Sequence, residues 1–185
     1  MKIRFDPRRN TPDELGRHVA RMCWPSAFEV VCVGTDRSTG DALGPLIGSM
    51  LESECKDLQS WGTIDSPIHA ANLHQFVKEY EALTPILAVD ACLGSRKHVG
   101  TVSLSDRPLR PGAGVQKQLP EVGTMHIAGT VNVNGFMEYY VLQNTRLSLV
   151  MAMARWIAEG IRIGAEIVST GAESLGVPTS AQRVD

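Results

Sequence analysis

Two aspartates are the residues of this chain whose type and setting best fit chemistry. Asp41 lies in the stretch 31–45, and Asp90 lies in the stretch 86–96. Each follows a short apolar run rich in β-branched residues, which predicts a buried strand ending at each carboxylate. In an open parallel α/β sheet, ligands bind in the crevice outside the carboxyl ends of the strands. The sequence therefore predicts an active site built from this pair of acids.

A pair of carboxyl groups in one crevice can supply both an acid and a base. The apolar segment 87–89 should bury Asp90 and raise its pKa, and a second carboxylate nearby would leave the pair sharing one proton. Two purely structural roles stay open at this point. Asp41 could be the N-cap of a helix, and Asp90 could cap the backbone N–H groups of a turn at 91–95.

Glycines around the two acids are candidates for supporting roles, because a residue without Cβ lets a substrate backbone approach closely. They are Gly34, Gly40 and Gly94. The loop 111–114, which is rich in Pro and Gly, is predicted to shape the same cleft.

A metal-dependent hydrolase is an alternative built on the same region. Asp36 could serve as partner of an acid or as a metal ligand, and His126 lies in an extended segment that could reach the crevice. Such a site would use these two residues with Asp41 and Asp90. The favoured prediction is an acid pair with no metal and no cofactor.

Other kinds of site are disfavoured by their motifs. A phosphate-binding P-loop needs four residues between its glycines and a Lys after the second, whereas five residues separate Gly34 from Gly40 and an acid follows. No G-x-S-x-G motif marks a serine nucleophile. A free cysteine such as Cys92 is more often a small buried apolar side chain than a nucleophile.

Composition predicts a cytoplasmic protein with one α/β domain at 1–170 and a flexible tail at 171–185. The 185 residues can bury roughly 70% of the unfolded surface in one core. With a formal charge of −2 and no basic run, nucleic acid is not an expected partner. No apolar run is long enough to cross a membrane, and the four cysteines are predicted to be reduced thiols.

Apolar periodicity predicts strands that alternate with helices. The predicted strands are 28–33, 63–64, 85–89, 99–105, 125–133 with a possible break at 128–129, and 166–169. The predicted helices are 11–22, one that begins near Asp41, one that contains 73–80, and a long one at 136–159 capped by Asn134. The β-α-β order indicates a mostly parallel sheet flanked by helices.

Three motifs give the chain a family resemblance. They are Gly-Asp-Ala-Leu-Gly-Pro at 40–45, Ala-Val-Asp-Ala-Cys-Leu-Gly-Ser-Arg at 88–96 and Pro-Gly-Ala-Gly-Val at 111–115. The chain resembles the YyaC-like family of sporulation proteins, relatives of the germination protease that degrades small acid-soluble spore proteins. The resemblance implies a three-layer phosphorylase/hydrolase-like α/β fold and an aspartic peptidase whose active-site pair matches Asp41 and Asp90.

The same resemblance carries expectations about partners. It implies a protein or peptide substrate, with small acid-soluble spore proteins as candidates, a homo-oligomer, and a location in the forespore or mother-cell cytoplasm. A binding or assembly protein that keeps the scaffold without catalysis is the alternative. The chain is also similar, more loosely, to hydrogenase-maturation endopeptidases, whose His-x-x-Gly-Phe pattern is matched here by Asn-Val-Asn-Gly-Phe at 132–136, so their metal site would be incomplete.

Overall fold

The computed structural model describes residues 1–80, 84–112 and 119–171. In chain order its elements are β1 (Lys2–Phe5), α1 (Pro12–Cys23), β2 (Glu29–Cys32), α2 (Leu43–Glu54), β3 (Ser60–Trp61), α3 (Leu73–Glu79), β4 (Ile86–Gly94), a 3₁₀ turn (Arg96–His98), β5 (Val102–Ser105), β6 (Met125–Val133), α4 (Glu138–Gln143) and α5 (Leu147–Thr170). No helix among these is long and apolar enough to cross a membrane.

The strands form one six-stranded sheet in the order β1-β5-β6-β4-β2-β3. Strands β3, β2, β4 and β6 are parallel. At the other edge, β5 pairs antiparallel with β6 and β1 pairs antiparallel with β5. This arrangement confirms the mostly parallel α/β sheet. Strands β2, which precedes Asp41, and β4, which contains Asp90, are neighbours inside the sheet, and each pairs with a strand on both of its sides.

Helices cover both faces of the sheet and make it three-layered. Side chains of α1, α2 and α5, including Leu15, Ile47 and Ile157, pack with Val89 of β4 on one face. On the other face, Leu73 of α3 belongs to a smaller apolar cluster with residues of β2 and β4. Strand residues alternate between the two clusters because successive side chains of a strand point to opposite faces.

Several predicted elements are confirmed, and others are wrong in position or type. The strand predicted at 63–64 lies instead at β3, because Gly62 turns the chain with φ of 86° and packs against the Cys32 backbone. The strand predicted at 166–169 is the end of α5. There Ile161, Ala165 and Val168 pack against the core at helical spacing.

The long helix predicted at 136–159 is two helices, with a break between α4 and α5 at 144–146. Helix α4 begins after Met137, whose φ is 60°, so Asn134 does not cap it. Strand β6 runs without the break predicted at 128–129. Strand β1 was not predicted, since its four residues are too few to give a periodic signal.

Candidate active site

Asp41 is held by a tight loop between β2 and α2. The Thr35 N–H donates to the Asp41 carbonyl oxygen over 3.2 Å, and the Ala42 N–H donates to the Ser38 carbonyl oxygen over 2.9 Å. Asp41 precedes Ala42, which is the cap position of α2, and no side chain caps this helix. The structural role considered for Asp41, that of an N-cap, is therefore not the one it has, and its carboxylate is free for another.

Gly34 is the residue that lets the Asp41 backbone lie against the end of β2. Its φ is 147°, and a Cβ at this position would stand 2.1 Å from the Asp41 carbonyl oxygen. Replacing Gly34 with Ala should therefore lower the free energy of unfolding by about 2 kcal/mol or more, since both strain and a backbone clash result. Urea denaturation measures the loss.

Gly135→Ala is the matched control for this substitution, because a Cβ at Gly135 meets nothing within 4 Å. Its midpoint should stay close to that of the wild type. Equal stability of the two variants would show that the Gly34 contact does not hold the loop.

Asp90 lies within β4 and not at its end, which corrects the prediction of a strand that stops at residue 89. Strand β4 continues to Gly94 because β6 pairs with it along that whole length, whereas β2 pairs only as far as Cys32 opposite Val89. The crevice at Asp90 thus exists because the neighbouring strand ends. The predicted turn at 91–95 is strand up to Gly94, although the Ala91 N–H does donate to Asp90 Oδ1 over 2.7 Å.

The charge state of Asp90 is set by its surroundings. The residue keeps part of its surface exposed, but its carboxyl group lies deep among protein atoms. Burial first, and then the negative charge of Asp41, raise the pKa of Asp90 to about 8, and the Ala91 hydrogen bond offsets part of the rise. Asp90 therefore carries a proton at neutral pH, and the negative charge of Asp41 contributes to holding that proton.

The pKa of Asp41 is also raised by burial, and the nearby Ser38 hydroxyl offsets part of that rise. Ser38 is 4% exposed. Its Oγ makes no hydrogen bond of standard geometry with any described residue. A buried hydroxyl next to Asp41 is thus available to donate to this carboxylate, which favours the ionised form of Asp41.

The other predicted residues fall into two groups. Gly40 and Gly94 lie close in sequence to Asp41 and Asp90 and make tight contacts. The Gly40 N–H donates to the Leu142 carbonyl oxygen over 2.9 Å, and a Cβ at Gly94 would press on Thr130. Asp36 is exposed in the loop, where the Thr35 hydroxyl donates to its Oδ1 over 3.5 Å. In the loop predicted at 111–114, residues 113 and 114 lie outside the described residues, as does the tail 172–185.

His126 does not join the two aspartates. It lies at the start of β6, opposite Ala88, and its Nδ1 is 2.7 Å from the Arg107 carbonyl oxygen. Within residues 1–80, 84–112 and 119–171, no group of three or more His, Cys, Asp or Glu side chains is arranged to hold a metal ion. Cys92 is close to the site, but burial raises its pKa, so it is held as a thiol.

Comparison with known proteins shows the family of this chain. The sequence profile described as "Protein of unknown function (DUF1256)" matches residues 9–160. The chain belongs to this family. It is 54% identical over 138 residues to the "Uncharacterized protein YyaC" of Bacillus subtilis (strain 168), an alignment that covers 72% of this chain and 67% of that protein. The resemblance to YyaC-like proteins is thereby confirmed.

A solved structure supports the fold of this DUF1256 chain. The [NiFe] hydrogenase maturation protease HycI from Thermococcus kodakarensis matches with a TM-score of 0.51 and 16% identity, over 77% of this chain and 92% of that one. At this identity the likeness shows the fold alone. The three-layer α/β scaffold expected from the sequence, similar to that of a protease, is confirmed.

Asn132 is a residue whose role only the structure shows. Its Nδ2 donates to the Val141 carbonyl oxygen and to Thr145 Oγ1, each over 3.2 Å. Because Asn132 is in register with Leu93 of β4, it ties α4 to the end of the sheet beside the crevice. The pattern at 132–136 drew attention to Asn132 in the sequence. Its partners Val141 and Thr145 lie nine and thirteen residues later, and the pattern does not indicate them.

Two depressions of the described surface have volumes of about 250 and 340 Å³, and neither is lined by Asp41 or Asp90. The two acids lie instead among protein atoms, where burial raises the pKa of both.

Proposed function

We propose that this protein is an aspartate-dependent peptidase that hydrolyses peptide bonds of a protein substrate. The observation that carries the proposal is the position of Asp90 in β4, just beyond the point where β2 stops pairing, with Asp41 in the loop that follows β2. The charge of Asp41 contributes to the raised pKa of Asp90, which is protonated at neutral pH. Two buried acids lower the stability of the folded state near neutral pH, and such perturbed groups cluster at functional sites. An acid pair that shares one proton is the arrangement that aspartic peptidases use.

The two acids have different roles in the proposed reaction. Asp41, the one with the adjacent hydroxyl of Ser38, is the ionised base and takes a proton from a water that attacks the scissile carbonyl carbon. Asp90 is the acid and gives its proton to the carbonyl oxygen, which leaves a tetrahedral diol. Asp41 then passes the proton it took from water to the leaving amine, the C–N bond breaks, and one hydroxyl of the diol returns its proton to Asp90. The products are a carboxylic acid, which ionises in water, and an amine, and both aspartates are back in their starting states.

The role that we propose in the cell is based on the resemblance to the germination protease. The motif at 40–45 is close to the Thr-Pro-Asp-Ala-Leu-Gly-Pro pattern of the germination protease, and Asp41 falls on its aspartate. The protease-like scaffold is in keeping with this. We therefore extend the proposal to a peptidase of sporulating cells, located in the forespore or mother cell, with small acid-soluble spore proteins as first candidate substrates.

The proposal is tested by incubating the purified protein with pooled peptides and with small acid-soluble spore proteins, and by identifying new termini by mass spectrometry. We expect cleavage near neutral pH at a rate that a chelator of divalent metals does not change, since the acid pair needs no metal. Loss of activity in chelator, restored by added metal, would support a metal-dependent hydrolase instead. If no substrate is cleaved under any condition, a scaffold for binding or assembly is the remaining function.

A further inference from the structure

The edge of β4 that faces β2 is open beside the acid pair. Pairing with β2 stops at Val89, whereas β4 continues through Gly94 on its β6 side. The Val89 carbonyl oxygen still accepts a hydrogen bond from the Val33 N–H. Because the backbone groups of alternate residues point to the same side, Ala91 and Leu93 direct theirs to this open edge. The Ala91 N–H already donates to Asp90 Oδ1, so the groups left for a partner are the Ala91 carbonyl oxygen and the N–H and carbonyl of Leu93. In the described ranges, no strand pairs with it.

Helix α4 is tied by hydrogen bonds to the segments on either side of β4. The Leu142 carbonyl oxygen accepts from the Gly40 N–H on the side of Asp41, and the Val141 carbonyl oxygen accepts from Asn132 on the side of β6. The end of α4 is therefore fixed to both sides of β4. Its position is set by hydrogen bonds to residues next to the acid pair.

The surface around α4 carries a concentration of exposed large apolar side chains. Nine such side chains are exposed in the described residues, and five of them lie between positions 136 and 147. We call these five the aromatic rim: Phe136, Met137, Tyr139, Tyr140 and Leu147. Phe136 is 93% exposed and Tyr139 is 61% exposed. Scattered exposed apolar residues need no explanation, but a cluster of this kind marks an interaction surface.

We propose that the open edge of β4 and the aromatic rim together bind one extended polypeptide segment. The segment pairs with the Ala91 carbonyl oxygen and with Leu93, and it places an apolar side chain on the rim. The inference rests on the proposed function, since this segment is the part of the substrate next to the bond that is cleaved. A polypeptide is the occupant because only an extended backbone offers donors and acceptors at the spacing of a strand edge. A second copy of the chain docked through the rim alone would leave this edge unpaired.

The rim then acts as a specificity site close to the acid pair. Tyr139 and Tyr140 have ring centroids 5.9 Å apart in an edge-on arrangement, so they present both ring faces and ring edges to a ligand. Buried aromatic contacts are the ones that dominate binding energy at interfaces. Peptides with Phe or Leu a few residues from the scissile bond are therefore the preferred class.

The test measures peptide binding separately from cleavage. Binding is measured in the Asp90→Asn variant, which should not cleave the peptides. The probes are pools of short peptides that each fix one position as Phe, Ser or Glu, and retention is quantified by mass spectrometry. We expect Phe pools to bind about tenfold more tightly than Ser pools, which corresponds to about 1.4 kcal/mol. The variant Tyr139→Ser/Tyr140→Ser should abolish the difference, whereas Val77→Ser, an exposed apolar residue of α3, should keep it.

Hydrogen exchange of the Leu93 amide tests the second half of the inference, and it should slow when a Phe peptide binds. Equal binding of all pools, or a preference that survives the double Tyr variant, overturns the rim assignment. A dimer that the double variant converts to a monomer also overturns it, because the rim would then be a self-association surface. If Phe pools bind the rim but the wild type cleaves none, the proposed function fails and the binding surface stands.

Discussion

Asp90→Asn is expected to lower kcat for peptide cleavage by about 10³-fold or more, and Asp41→Asn should do the same, since each removes one half of the acid–base pair. The Asn side chain keeps the shape of Asp but neither ionises nor donates an acidic proton. Single-turnover assays on any peptide that the wild type cleaves give the ratio directly. Asp57→Asn, an exposed acid remote from the loop, is the matched control and should retain wild-type activity.

The same acid–base pair predicts that kcat/KM of the wild type falls at both acid and alkaline pH. Activity requires Asp41 ionised and Asp90 protonated, so it should fall at alkaline pH as Asp90 loses its proton near pH 8. At acid pH it should fall as Asp41 is protonated, at a pKa above the usual 3.8 because burial raises it. In Asp41→Asn, the pKa of Asp90 measured by carboxyl-carbon NMR should drop, because one charge that raises it is gone. If the Asp90→Asn variant keeps some activity and that activity still falls at alkaline pH, the fall is caused by a group other than Asp90.

The second large effect concerns stability. The folded state holds the proton of Asp90 up to about pH 8, whereas the unfolded chain releases it near 3.8. The contribution of this group to stability is therefore fully present below about pH 4 and is lost as the pH rises to about 8. Each pH unit between these values lowers the free energy of unfolding by about 1.4 kcal/mol, so the whole loss should amount to several kcal/mol.

Asp90→Asn should remove this dependence and be the more stable protein at about pH 9, while the two proteins should be similar near pH 4. Urea denaturation of both, repeated across the pH range, measures the difference. Parallel curves for wild type and variant would mean that Asp90 ionises in the folded state as it does in the unfolded chain. A variant that is more stable but inactive is the expected signature of a site that sacrifices stability for chemistry.

Local patterns identified most of the scaffold. The apolar run before Gly34 and the helical spacing after Asp41 were enough to place β2 and α2, since the two periods are set by strand and helix geometry alone. The pattern at 136–159 predicted one helix, because the spacing of its apolar residues does not show that α4 turns away to bond with Gly40 and Asn132. Those partners are distant in sequence, and the hydrogen bonds that join them form only when the sheet is assembled.

The sequence by itself determined that this chain forms a mostly parallel α/β sheet, that it belongs with YyaC-like proteins, and that two aspartates follow its central apolar runs. The tertiary structure decided the rest of the site. It ended β2 early beside a longer β4, so that Asp90 lies within a strand just beyond the pairing with β2, and the charge of Asp41 adds to the effect of burial on its pKa. It also kept His126 at the far end of β6. Local pattern fixes which elements form, but the depth of burial and the distance between charges depend on where neighbouring strands stop.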